Sequence, residues 1–186
     1  MTIKYLIRKI LRLHKKSNAR EELVKNGLVL GENVRIYSND AFDSLYPWLI
    51  TIGDNVTITP NVKILAHDAS PSSVGALNYA KVGRVDIGNN VFIGYGSIIL
   101  CNTKIGNNVV IGAGSVVNKD IPDNSVFAGN PATYVCSYNE FVKKQKELLE
   151  THCKFDKSWY EWKNASDEEK MNMKELLKDK HGYVAE

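Results

Sequence analysis

Ile105-Gly-Asn-Asn-Val-Val-Ile-Gly-Ala-Gly-Ser-Val-Val-Asn-Lys-Asp-Ile-Pro122 decides the fold. Its aliphatic residues Ile105, Ile111 and Val117 are six apart. The same frame runs back through Ile99, Ile93 and Ile87, and again through Ile64, Ile58 and Ile52. The second place of a hexad is Gly at positions 53, 88, 94, 106 and 112. The fifth is small or β-branched at Val56, Val62, Val91, Ser97, Thr103, Val109, Ser115 and Ile121. Leu30-Gly31-Glu32-Asn33-Val34 is an earlier copy, and Ile36 can start another.

A period of six is neither helical nor the plain alternation of a strand. It describes short strands joined by tight corners, with the aliphatic residue pointing into a narrow interior and Gly or Asn taking left-handed backbone at the corner. Three hexads close a triangular turn, stacked on the next at about 4.8 Å. Full coils are expected at 52–69, 87–104 and 105–122, with an irregular partial one over 30–51. The competing fold is a β-sandwich of short strands, but sandwich strands need not share a six-residue register.

The rest of the composition narrows the function. The 186 residues carry 24 Lys plus Arg against 21 Asp plus Glu, a net charge of +3. That is too mild for nucleic acid to be the main partner. No apolar run reaches the roughly 20 residues that span a bilayer. The interrupted apolar stretch around Lys4, Arg8 and Lys9 does not read as a signal peptide. Three cysteines without a close pair point to a reducing, cytoplasmic setting and away from a cysteine-rich metal site.

Ile87-Gly-Asn-Asn-Val-Phe-Ile-Gly94, the 105–122 stretch and Val126-Phe-Ala-Gly-Asn-Pro-Ala132 resemble the hexapeptide-repeat acyltransferases. The similarity is greatest to O-acetyltransferases of the maltose, galactoside and surface-polysaccharide type. It covers about residues 28–135. It implies a left-handed parallel β-helix, an exception to the usual crossover hand. It also implies a homotrimer with sites between neighbouring subunits, acetyl-CoA as donor, and a sugar or glycan-precursor hydroxyl as acceptor, with no metal expected.

Three regions are expected: an N-terminal helical segment at 1–27, the β-helix at 28–135 with a loop insertion at 70–86, and a C-terminal helical extension at 136–186. Residues 1–16 combine Ile3, Leu6, Ile7, Ile10 and Leu11 at helical spacing with six positive charges. Such a helix can rest on an anionic membrane surface or pack on protein. Asn18, Glu21 and Gly27 mark a second short helix. In the extension, Ser137–Glu140 and Ser166–Glu169 read as capping boxes, the second opening a helix that stops near Gly182. Phe155, Trp159, Tyr160 and Trp162 lie between these helices and read as packing residues.

Acetyl transfer to a hydroxyl needs a base, because an alcohol is a poor nucleophile until its proton leaves. Imidazole, with an ordinary pKa of about 6.5, suits the task. His67 is the one histidine in the repeats, at the root of the insertion, and the resemblance places the catalytic base there. Asp68 can orient it or cap the loop. By resemblance the coenzyme meets Tyr95, Gly112, Ala113, Gly114, Asn118 and Lys119. Lys119 reads equally as a phosphate contact or a solvated corner. Asn39, Asp40 and Asp43, with Tyr79 and Lys81 from the insertion, are candidates for acceptor contacts. Two other functions remain open: N-acetylation of an amino-sugar nucleotide, and a non-catalytic trimeric scaffold. A three-histidine metal site has too few histidines in the repeats.

Overall fold

The computed structural model describes residues 20–38, 40–159 and 165–185. The chain divides into two compact units, Met1–Tyr138 and Asn139–Glu186.

The first unit is a parallel β-helix of three sheets. Helix α1 covers residues 20–25 and ends at Gly27, whose φ is +99°. The expected helix at 1–16 and its neighbour Asn18 lie outside the described residues. The first coil holds β1 (Val29–Leu30) and β2 (Arg35–Ile36), then a single bridge at Phe42. The second holds β3 (Ile50–Ile52), β4 (Thr57–Ile58) and β5 (Lys63–Ile64). The insertion follows as β6 (His67–Asp68), the short helix α2 (Ser70–Ser73) and β7 (Lys81–Val82), which pairs antiparallel with β6. β8 (Val85–Ile87), β9 (Val91–Ile93) and β10 (Ile98–Ile99) make the third coil. β11 (Thr103–Ile105), β12 (Val109–Ile111) and β13 (Val116–Val117) make the fourth. β14 (Ser125–Ala128) adds one more side, and β15 (Thr133–Ser137) reverses against it.

Parallel pairing stacks like on like. Ile52, Ile87 and Ile105 align on the first face. Ile58, Ile93, Ile111 and Phe127 align on the second, and Ile64, Ile99 and Val117 on the third. First and fifth hexad residues are both buried, so each side of the coil sends two side chains inward. At roughly 1.5–3 kcal/mol for each fully buried aliphatic side chain, these stacks are the main source of stability. The first coil is more regular than expected: Leu30, Ile36 and Phe42 continue the frame, each paired 22 residues on, with Ile52, Ile58 and Ile64.

Asn and Gly divide the corner work differently from the expectation. Left-handed backbone falls at the fourth hexad place, on Asn55, Asn61, Asn90, Gly96, Asn102, Asn108 and Gly114. The second-place glycines have no such φ and serve close stacking instead. A Cβ on Gly94 would lie 2.5 Å from the Ala113 nitrogen. Down the corner between the first two faces runs a polar ladder. Asp54, Asn89, Asn107 and Asp123 each use Oδ1 to accept from the backbone N–H of Glu32, Asp54, Asn89 and Asn107, at 2.7–2.8 Å.

The second unit holds most of α3 (Tyr138–Thr151), then β16 (Cys153–Phe155), α4 (Asp167–Leu176) and β17 (Gly182–Val184). Ser166 and Glu169 form the capping box that opens α4. The helix closes at Leu177, short of its expected stop. Gly182 lies in β17, paired with Cys153, because a Cβ there would press on Leu177 and Phe155 at 2.9 Å. Phe155 and Trp159 rings are 5.5 Å apart; Tyr160 and Trp162 lie outside the described residues. Among the described residues no helix is long and apolar enough to cross a membrane.

Candidate active site

The third corner, which joins the third face to the first, departs from the other two. Two of its fourth places, His67 and Asp120, lack the left-handed backbone that Asn102 between them keeps at φ +62°. At His67 the chain leaves the coil. It returns at Gly83, whose N–H donates to the Ala66 carbonyl at 2.9 Å. Gly83 fits because a Cβ there would lie 2.7 Å from the Asn102 nitrogen. The insertion thus opens and closes at one point of a rigid coil.

Asp43 reaches that point from the coil above. The Phe42–Ile64 bridge sets it there, and its own N–H donates to the Ile64 carbonyl at 2.9 Å. Its side chain is only 2% exposed, while that of His67 is 27% exposed. Asp43 Oδ1 accepts from the Leu45 N–H at 3.0 Å, and Oδ2 accepts from the Ala66 N–H at 3.0 Å and from His67 Nδ1. Burial pushes this carboxyl up, but the bonds from His67, Leu45 and Ala66 outweigh it and hold it below its ordinary value of 3.8. An ionised carboxylate only accepts, so Nδ1 carries the hydrogen, and in the neutral ring this leaves the lone pair on Nε2. Nε2 has no hydrogen-bond partner among the described residues. The Tyr46 ring flanks the imidazole at 5.5 Å.

His67 opens on a cavity of about 270 Å³ lined also by Leu65, Asp68, Lys81, Leu100 and Cys101. A buried carboxylate, an imidazole fixed in one tautomer and a facing cavity can together take a proton from a bound hydroxyl.

Asp68 does not touch the imidazole nitrogen. Its Oδ1 accepts from the Ser70 N–H at 2.9 Å, which holds its carboxyl below the ordinary value, and Oδ2 lies 4.0 Å from Lys81 Nζ. It caps the loop, and the orienting contact belongs to Asp43. Asp43, expected to meet the acceptor, is buried under His67 instead. Asp40 is paired with Lys63, whose hydrogen bond lowers its carboxyl. Tyr79 stands exposed on the insertion, and Asn39 lies outside the described residues. Tyr95 and Gly112, Ala113 and Gly114 share the second corner, where the Gly114 N–H donates to the Tyr95 carbonyl at 2.8 Å. Asn118 and Lys119 are exposed on the third corner, below Leu100 and Cys101. The expected donor contacts therefore fall on two corners with the third face between them. Among the described residues no group of three or more His, Cys, Asp or Glu side chains is placed to hold a metal.

The family model described as bacterial transferase hexapeptide (six repeats) matches residues 84–119. Protein CapG of Staphylococcus aureus is 45% identical over 139 residues, covering 72% of this chain and 80% of that protein. The crystal structure of a maltose O-acetyltransferase from Clostridium difficile 630 matches with 42% identity and a TM-score of 0.50, over 58% of this chain and 57% of that one. A hexapeptide-repeat acetyltransferase of Vibrio cholerae O1 biovar eltor, complexed with acetyl-CoA, matches with 30% identity and a TM-score of 0.52, over 59% of each chain. The chain thus spans four fifths of the CapG sequence and less than two thirds of these two solved relatives.

Proposed function

This chain belongs to the hexapeptide-repeat acyltransferases, and from that membership we propose that it moves an acetyl group from acetyl-CoA to a hydroxyl of a sugar or surface-polysaccharide precursor. The observation that carries the proposal is the Asp43–His67 pair at the mouth of a cavity. His67 Nε2 takes the hydroxyl proton as the oxygen attacks the thioester carbonyl. The imidazolium so formed is stabilised by the Asp43 carboxylate, then returns its proton to the departing coenzyme thiolate. Asp43 stays ionised throughout and keeps the ring in its working tautomer.

The acetyl-CoA complex of the Vibrio cholerae relative supports the choice of donor, and the maltose O-acetyltransferase supports a sugar hydroxyl. The proposal includes a left-handed winding and a homotrimer. The two corners that carry expected donor contacts lie apart on one chain, and a groove between two β-helices can draw one corner from each. Three free cysteines fit a reducing cytoplasmic setting, with the basic 1–16 segment available for a peripheral membrane contact.

The test is thiol release from acetyl-CoA with a panel of sugar acceptors. His67→Ala is expected to lower turnover about 100- to 10,000-fold, the range for loss of a general base. Its melting temperature and coenzyme affinity should stay close to the parent's. A folded variant with near-normal turnover would refute the assignment of the base.

A further inference from the structure

At the corner between the first two faces, the second hexad place is Gly31, Gly53, Gly88 and Gly106, an unbroken column without side chains. At the third corner the same place is Asp43, Leu65, Leu100 and Asn118, and none is glycine. The register makes this a physical column. Phe42 pairs with Ile64, Ile64 with Ile99, and Ile99 with Val117, so each of the four residues follows a stacked partner. Leu65 N–H donates to the Ile99 carbonyl and Leu100 N–H to the Val117 carbonyl, both at 2.9 Å. Side chains on this corner are half-exposed leucines between a buried carboxylate above and an exposed amide below.

Half-exposed leucines here bury less apolar surface than the inward aliphatic residues, and the corner between the first two faces packs with glycine at the same place. Leu65, Leu100 and Cys101 form the apolar side of the His67 cavity, and His67, Asp68 and Lys81 its polar side. A polyhydroxylated acceptor on the apolar side would leave its hydroxyls buried without hydrogen-bond partners, which is unfavourable. A hydrocarbon chain suits it. We propose that Leu65, Leu100 and Cys101 are the bed for the acyl chain of the donor, so that the chain accepts short-chain acyl thioesters longer than acetyl. The inference rests on the acyl-transfer reading of His67 and deepens it.

The dimensions agree. An acetyl group has three heavy atoms, whereas a cavity of about 150 Å³ already takes a six-carbon ring and this one is about 270 Å³. The polar side leaves room for the attacking hydroxyl beside His67. Down the column, Asn118 and its neighbour Lys119 meet the more polar remainder of the donor.

Isothermal titration of the full chain with CoA, acetyl-CoA, propionyl-CoA and butyryl-CoA tests the bed without knowledge of the acceptor. Each methylene buried on the leucines should tighten binding about fourfold. Leu100→Ala should remove most of that gain while CoA itself binds within twofold of the parent. Cys101→Ser, which keeps the volume and makes the bed polar, should also shrink the gain and serves if Leu100→Ala does not fold. An affinity independent of acyl length in the parent, or a gain unchanged in the variants, overturns the bed and leaves the His67 reading standing. Equal weakening of CoA and of every thioester in Leu100→Ala places another part of the donor there and also overturns it. No coenzyme binding at all overturns both readings.

Discussion

Asp43 Oδ2 accepts two hydrogen bonds from adjacent residues, the Ala66 backbone N–H and the His67 ring Nδ1. One oxygen thus fixes both the start of the excursion from the coil and the imidazole that begins it. The contact is built between coils, across 24 residues of sequence.

Asp43→Asn is the direct probe of that contact. The amide supplies one acceptor where the carboxylate supplies two, and it carries no charge to stabilise an imidazolium. Loss of one charge-assisted hydrogen bond, roughly 1.5–3 kcal/mol, corresponds to about a 10- to 100-fold fall in turnover. Coenzyme affinity should be unchanged. Steady-state thiol release separates kcat from KM; a loss confined to KM would contradict the orienting role.

Acid titration gives a second measurement. The Asp43 carboxyl titrates below its ordinary 3.8 in the folded chain, so the native state binds its proton less readily than the unfolded state does. Its contribution is present above about pH 4 and lost as pH falls through the depressed folded value. Melts of the parent and Asp43→Asn between pH 7 and 3 should show the parent's advantage shrinking at the acid end. An advantage constant down to pH 3 would count against an ionised Asp43.

Gly94→Ala tests the close stacking of the coils. Its Cβ would meet the Ala113 nitrogen at 2.5 Å and the Gly112 carbonyl carbon at 2.8 Å, both backbone. Overpacking of this kind costs about 1–3 kcal/mol. The unfolding free energy from denaturant titration should fall by that amount, and no loss would mean that the coils separate more readily than their spacing indicates.

Thr103→Val should raise stability. Thr103 fills an inward fifth place beside Val85, and its Oγ1 is buried with no partner among the described residues. Replacing the hydroxyl by a methyl removes an uncompensated polar group, worth about 1 kcal/mol. A lower midpoint in denaturant would mean that the hydroxyl has a native partner.

Much of the fold is legible because the hexad places report directly on direction. Ile52 through Val117 face inward wherever the frame predicts, and the break after Ile64 marks the excursion at His67. Leu30, Ile36 and Phe42 carry the frame upward as well, and one step past Phe42 lies Asp43. That pointer is weak in the sequence because residues 43–49 interrupt the frame before Ile50, and an aspartate beside Ser44 reads as a turn residue. Asp68 adjoins His67 in the chain, yet adjacent residues of a strand point to opposite sides, so the partner has to come from another coil. At Gly182, composition suggests a helix stop, whereas the glycine is needed for clearance beside Leu177 and Phe155. That requirement exists only once the two strands of the second unit are together.

The Gly83 to Ala66 hydrogen bond, which closes the insertion where it opened, separates two kinds of change in this molecule. Ile52 pairs with Ile87 and Ile64 with Ile99 as though the intervening residues were absent. Doubling the length of such a loop costs only about 0.6 kcal/mol of closure entropy. The segment is therefore an exchangeable cassette. It can be lengthened, shortened or rewritten between Asp68 and Lys81 while the coils keep their register and Asp43 keeps its contacts with Ala66 and His67.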